Sequence, residues 1–202
     1  FSRVALETLR QPMEDAFITV SRSLSSVTFP ASFMLVAAMN PCPCGHLGDP
    51  NNQCICPPQK VTSYRGRLSG PLLDRIDVVV EVPALTRREM LSSASGECST
   101  AVAGRVAAAR ERQSNRLAGT DVFSNAQMGS SLTDRLCRLD GNARELLESA
   151  IDRLGLSARA HQRILKVART IADLDGRDEI RAAHIAEAIS YRSIDRREWN
   201  GR

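Results

Sequence analysis

A chain of 202 residues with 43% hydrophobic content can bury one good core, or one core beside a smaller helical domain. It holds no run of 18 apolar residues, which excludes a hydrophobic helix spanning a membrane. The net charge of +4 hides an asymmetry, because Lys60 and Lys166 are the only lysines and the other 25 of the 27 basic residues are arginines. Arginine carries a planar fork suited to phosphates and carboxylates, although a compositional bias would give the same excess. A pI near 8.9 is compatible with nucleic-acid contact but short of a strong basic footprint.

The chain begins at Phe1 with helix-like sequence and no charged-then-apolar leader, so it reads as a piece whose upstream part is missing. Six cysteines without a leader favour a reducing compartment, the cytoplasm, where clustered thiols act as metal ligands rather than disulfides. Residues 2–15 are spaced as an amphipathic helix broken late by Pro12. Two β-leaning pieces around Ser21-Arg22-Ser23 predict a hairpin or a helix-interrupting loop.

Phe33–Met39 is a continuous apolar run, the pattern of a strand covered on both faces in a parallel sheet. An irregular loop over 40–60 follows, then a short helix over 65–73 and a second buried strand over 78–82 closed by Pro83. From Thr86 the character turns helical, with a break near Ser95-Gly96 and a connecting region over 117–135. Three helices are expected at about 141–154, 158–173 and 178–190, separated by Gly155 and by Asp175-Gly176. The expected class is α/β plus all-α. A truncated αβα core with parallel strands covers 1–90, a helical connector 91–135, and a helical domain 136–202.

Asn40 ends the first apolar run. An amide there can orient a water or a phosphate with donor and acceptor at once, or it can simply form a turn before Pro41. Arg75 lies in Ser69-Gly-Pro-Leu-Leu-Asp-Arg-Ile-Asp77, just before the second strand. It is either a guanidinium that reaches a phosphate on a neighbouring subunit, or part of a surface ion cluster with Asp74 and Asp77. Ser157 is a natural N-cap, placing Arg159 in the first helical turn and Arg163 one turn along the same face. A helix N-terminus favours anions, so a phosphate between these arginines would resolve the conflict; a salt bridge to Glu145 or Glu148 is the alternative.

Cys42, Cys44, Cys54 and Cys56 form a C-x-C-x9-C-x-C cluster, a donor set suited to a closed structural zinc site. The one-residue gaps are tighter than usual. His46 is read as a neighbouring surface residue, with replacement of one thiolate as the alternative, and Cys98 and Cys137 as ordinary semi-buried thiols.

Taken together, these segments resemble a known family. They are Leu6-Glu7-x-Leu9-Arg10-Gln11-Pro12-Met13-Glu14, Val20-Ser21-Arg22, Leu35 through Gly45, Ser69 through Asp77, and Leu156-Ser-Ala-Arg159 continuing from Arg163 to Leu174. Across nearly the whole chain the sequence is similar to the magnesium-chelatase-like AAA+ ATPases, more narrowly the ComM (YifB-like) branch. The resemblance implies a AAA+ core with a helical lid, ATP and Mg²⁺ as cofactors, and a ring, expected to be a hexamer. In it Asn40 takes the position of the sensor-one amide, Arg75 of the arginine finger and Arg159 of the sensor-two arginine of the lid. Segment 16–29 takes that of the pore insert, with Arg22 as its phosphate-contacting residue on DNA.

The departure from the family pattern is equally informative. No G-x-x-x-x-G-K-[ST] occurs, since neither lysine follows a glycine, so both Walker motifs are expected outside these residues. The piece alone is expected not to turn over ATP. Three functions remain open: a DNA-remodelling motor in uptake and recombination, a metal-chelatase motor subunit, and a zinc-stapled module without enzymatic activity. The resemblance favours the first, because chelatase subunits of the family lack the Cys-Pro-Cys-Gly loop.

Overall fold

The computed structural model describes residues 1–22, 25–91 and 96–192. They divide into two compact units, residues 1–86 and 87–192, which are described separately.

The first unit opens with two short helices, α1 (Arg3–Glu7) and α2 (Arg10–Asp15). The Ser2 hydroxyl caps α1 by accepting the Ala5 amide at 3.2 Å. The break falls at Thr8-Leu9 rather than at Pro12. Pro12 sits in the first turn of α2, where a missing N–H and a fixed φ cost little. Ala16, at φ +59, ends α2 and turns the chain into an antiparallel hairpin of β1 (Phe17–Arg22) and β2 (Ser25–Pro30).

The hairpin register pairs Ile18 with Phe29, Val20 with Val27 and Arg22 with Ser25. Side chains alternate across a strand pair, so Ile18, Val20, Val27 and Phe29 share one face. The other face carries hydroxyl pairs, Thr19–Thr28 and Ser21–Ser26, each at 3.0 Å.

The expected parallel strands at 33–39 and 78–82 are not observed. Among the described residues β1 and β2 are the only strands, and both apolar runs lack regular secondary structure. Met34 and Val82 are 87% and 88% exposed. A strand forms only where a neighbouring backbone answers its N–H and C=O groups, and no such partner occurs among the described residues.

The helix expected over 65–73 is likewise replaced by two, α3 (Pro58–Arg65) and α4 (Gly70–Leu73). Pro58 at the first helical position starts α3, and Gly66 caps its end. Ser69 accepts the Leu72 amide at 3.2 Å and opens α4, so its hydroxyl marks a helix start.

The second unit is helical: α5 (Arg87–Leu91), α6 (Ser99–Leu117), a 3₁₀ turn (Asn125–Gln127), α7 (Ser130–Leu136), α8 (Gly141–Leu154), α9 (Ala158–Leu174) and α10 (Ala182–Ser190). Segment 91–135 thus contributes α6, the 3₁₀ turn and α7 to this unit. Asp140 caps α8 by accepting the Ala143 amide at 2.7 Å, and Gly155 ends it at φ +60. α10 starts four residues later than expected. Ile180 is held instead in a parallel bridge to Leu139, its amide donating to the Arg138 carbonyl at 3.0 Å.

The core gathers Leu117, Met128, Leu147, Ile164, Leu165, Ile180 and Ile185 around the alanines of α9 and α10. Val167, Ile171 and Ile189 pack at its edge, so α9 and α10 bury their apolar faces against the same core.

A charged network lies inside this core. Arg169 is 0% exposed and pairs with Asp173 one turn later at 3.2 Å. The Asp173 carboxylate also accepts from Arg116, at 3.1 Å on one oxygen and more closely on the other, and from Asn125 Nδ2 at 2.8 Å. Arg169 in turn donates to the carbonyls of Arg177 and Asp178, pinning the turn after α9.

Candidate functional site

The four cysteines come together in the first unit. All four Sγ atoms lie within 4.8 Å of one another, and they are the only such group of possible ligands among the described residues. Cys42 stands 3.3 Å from Cys44 and 3.7 Å from Cys54, and Cys44 is 3.6 Å from Cys54. Sulfurs held about 2.3 Å from a tetrahedral zinc would lie about 3.8 Å apart, so these separations fit that ion. They are far too long for a disulfide, and all four thiols are free.

The thiols are unevenly poised. Cys44 is pulled down to about 6, first by the His46 amide and then by the Ile55 amide. Cys54 is pushed up to about 11: the Cys56 amide pulls it down, but burial and the Cys44 and Cys42 thiols outweigh it. Burial first, then Cys44, also raises Cys56. His46 turns to Asp49, with Nδ1 3.4 Å from its carboxylate, and does not join the cluster.

Asn40 is exposed and stands two residues before the buried Cys42. Its Nδ2 lies over the first turn of the cysteine loop, 3.8 Å from where a Cβ on Gly45 would sit. That glycine holds φ +86, which other residues rarely adopt. At the start of the loop, Arg65 Nε donates to the Pro41 carbonyl at 3.1 Å.

Arg75 is placed in the same unit, with its side chain 11% exposed. One Nη donates to the Pro71 carbonyl at 2.7 Å and the other to the Glu14 carboxylate. Sequence reasoning gives Glu14 no role. No local spacing gives it away, because α2 and α4 are brought together only by folding. Arg65 escapes notice for the same reason.

The remaining candidates lie elsewhere. Arg22 is exposed at the described end of β1, opposite Ser25. In the second unit Ser157 accepts the Ala160 amide at 3.2 Å, so the expected N-cap of α9 is present. Arg159 is exposed in its first turn, and Arg163 is half-buried one turn on. Cys137 is buried and its thiol is pushed up to about 11 by that burial, whereas Cys98 is exposed. No helix among the described residues is long and apolar enough to cross a membrane.

Two family profiles match in tandem: magnesium chelatase, subunit ChlI, over residues 1–90, and the ChlI C-terminal profile over 96–192. The chain is 46% identical over 198 residues to YifB of Escherichia coli K12. It is 44% identical over 197 residues to the competence protein ComM of Haemophilus influenzae, and 41% over 193 residues to Rv2897c of Mycobacterium tuberculosis H37Rv. These alignments take in 96–97% of this chain but 38% of each relative's length. With both profiles in register along the sequence, the chain belongs to the magnesium-chelatase-like family.

Proposed function

We propose that this chain is part of an ATP-dependent AAA+ motor that assembles as a cytoplasmic ring, a hexamer, and remodels DNA during uptake and recombination. The observation that carries the reading is the pairing of Asn40 with the four-cysteine cage, in a chain related to a competence protein. In this reading Asn40 orients the attacking water and Arg75 reaches the nucleotide of the adjacent subunit. Such a guanidinium is worth roughly 10³–10⁵ in rate. Arg75 must then exchange Glu14 for phosphate. Arg159 and Arg163 bind nucleotide phosphate from the helical unit, where the N-terminus of a 17-residue helix favours anions. Bound ATP with Mg²⁺ supplies the reactive phosphoanhydride.

Cys42, Cys44, Cys54 and Cys56 hold Zn²⁺, which supplies a structural crosslink and no chemistry. Arg22, exposed at the end of β1 on the hairpin, contacts the DNA backbone. The unpaired apolar runs at 33–39 and 78–82 are the strands of the AAA+ sheet, completed by backbone that these residues do not supply. Since no G-x-x-x-x-G-K-[ST] is present, the 202 residues by themselves do not turn over ATP.

The test is ATP hydrolysis by the complete protein with and without single-stranded and forked DNA. Stimulation by DNA, abolished by Asn40→Ala, is expected. Hydrolysis that no DNA alters would move the reading to a metal-chelatase motor subunit, which the matched profiles also accommodate. Absence of any hydrolysis would leave a zinc-stapled interaction module.

A further inference from the structure

We propose that Arg65 is a positioning residue for Asn40, acting with the cysteine cage as a two-point clamp on residues 40–42. The inference rests on the reading of Asn40 as the water-orienting amide. Asn40 follows the 33–39 run, which has no ladder partner among the described residues and which, in that reading, the completed sheet holds from the N-terminal side. The two anchors act on its C-terminal side.

On one side, Cys42 is fully buried in the cage, and its carbonyl accepts the Gly45 amide at 3.0 Å in a tight turn beneath the Asn40 amide. On the other, Arg65 Nε holds the Pro41 carbonyl at 3.1 Å. Both tethers belong to one circuit. α3 begins two residues after Cys56 and ends at Arg65, so it is a strut of eight residues, about 12 Å long. The cage fixes its first end and Arg65 returns its last to Pro41. Pro41 restricts the backbone of Asn40 before it, and Pro43 does the same to Cys42.

The variants are Arg65→Met, which keeps the apolar stem and removes the donor, and Arg65→Lys, whose ammonium can still donate to a carbonyl. In the complete protein, Arg65→Met should lower kcat by about 10- to 100-fold, the scale of a small misplacement of a reacting group. The KM for ATP and the zinc content should not move, and Arg65→Lys should recover most of the loss. In the 202-residue chain, the Asn40 side-chain amide resonances should shift both in Arg65→Met and on zinc removal.

An unchanged kcat in Arg65→Met, while Asn40→Ala is inactive, overturns the proposal. So does a loss of zinc equal to the loss of rate, which would make Arg65 a support of the cage alone. If Asn40→Ala hydrolyses ATP normally, the reading of Asn40 has failed, and the resonances judge the clamp by themselves; unmoved resonances refute it. Should Arg65→Met fail to fold, unmoved resonances in Arg65→Lys on zinc removal refute it equally.

Discussion

Replacing Asp173 with alanine should destabilise the helical unit more than any surface change in the chain. The carboxylate is fully buried and answers two guanidinium groups and an amide. Removing it leaves two positive charges facing each other without a counter-ion. Breaking a buried ion pair from one side costs about 3–5 kcal/mol. Two features set the value here near the lower end. Arg116 is 18% exposed and can turn partly to water, and Asn125 keeps its 3.0 Å hydrogen bond to Thr170. Arg169 cannot follow, since both its Nη atoms are committed to the carbonyls of Arg177 and Asp178. A loss of about 3 kcal/mol compares with roughly 5–15 kcal/mol holding a typical domain.

The assay is urea unfolding followed by far-ultraviolet circular dichroism. With a slope of about 1–3 kcal/mol per molar urea, the midpoint should fall by about 1–3 M. A fall worth less than about 1 kcal/mol would refute the reasoning, because it would mean that both guanidinium groups rehydrate freely.

Further outcomes concern the cage and the helix ends. Protein purified without chelator should carry about one zinc per chain, and Cys42→Ser should lose it; elemental analysis finding under about 0.2 zinc would refute the closed thiolate site. Gly155→Ala places a Cβ in open space but at φ +60, so thermal unfolding should show a loss of about 1–2 kcal/mol. Ser157→Ala removes the α9 cap and should cost about 0.5–2 kcal/mol in the same measurement. Asp175 is held below its ordinary value of 3.8, first by its bond to His184 and then by Arg177. A lowered carboxylate contributes stability above its unfolded value and loses it as pH falls through the folded one. The advantage over Asp175→Asn should therefore be complete at neutral pH and vanish in acid below 3.8, as read from pH-dependent melting.

The helical unit is largely legible because its punctuation is local. Asp140, Gly155 and Ser157 announce the ends of α8 and α9 within a few residues of where they fall, and apolar spacing marks the buried faces. The strands are not legible in that way. Phe33–Met39 has the composition of a buried strand, but strand formation is decided by a partner backbone, and local composition carries no information about whether one is present. α4 departs from expectation for a smaller reason: Ser69, inside the expected helix span, is a cap.

At the site, the cysteine cluster is readable from spacing, because ligands close in sequence need only a turn to meet. Glu14 at Arg75 and Arg65 at Pro41 join residues 61 and 24 apart, which no periodicity signals. The Arg169–Asp173 pair does leave a trace. Opposite charges four apart on the same stripe as Leu165, Ala168 and Ala172 can be buried only together.

The cage also divides its loop into a part that matters and a part that is free to vary. Cys42 and Cys44 meet Cys54 and Cys56 at the base, so residues 45–53 form a closed lobe whose ends are fixed by sulfur separations of a few ångströms. Doubling the length of such a lobe costs only about 0.6 kcal/mol in closure entropy. An epitope or a reporter peptide spliced between Gly48 and Asn52 would leave Asn40 and α3 where they are. The tip of the loop is thus a natural attachment point on the protein, whereas Gly45 and His46 at its base remain tied to Cys42 and Cys44.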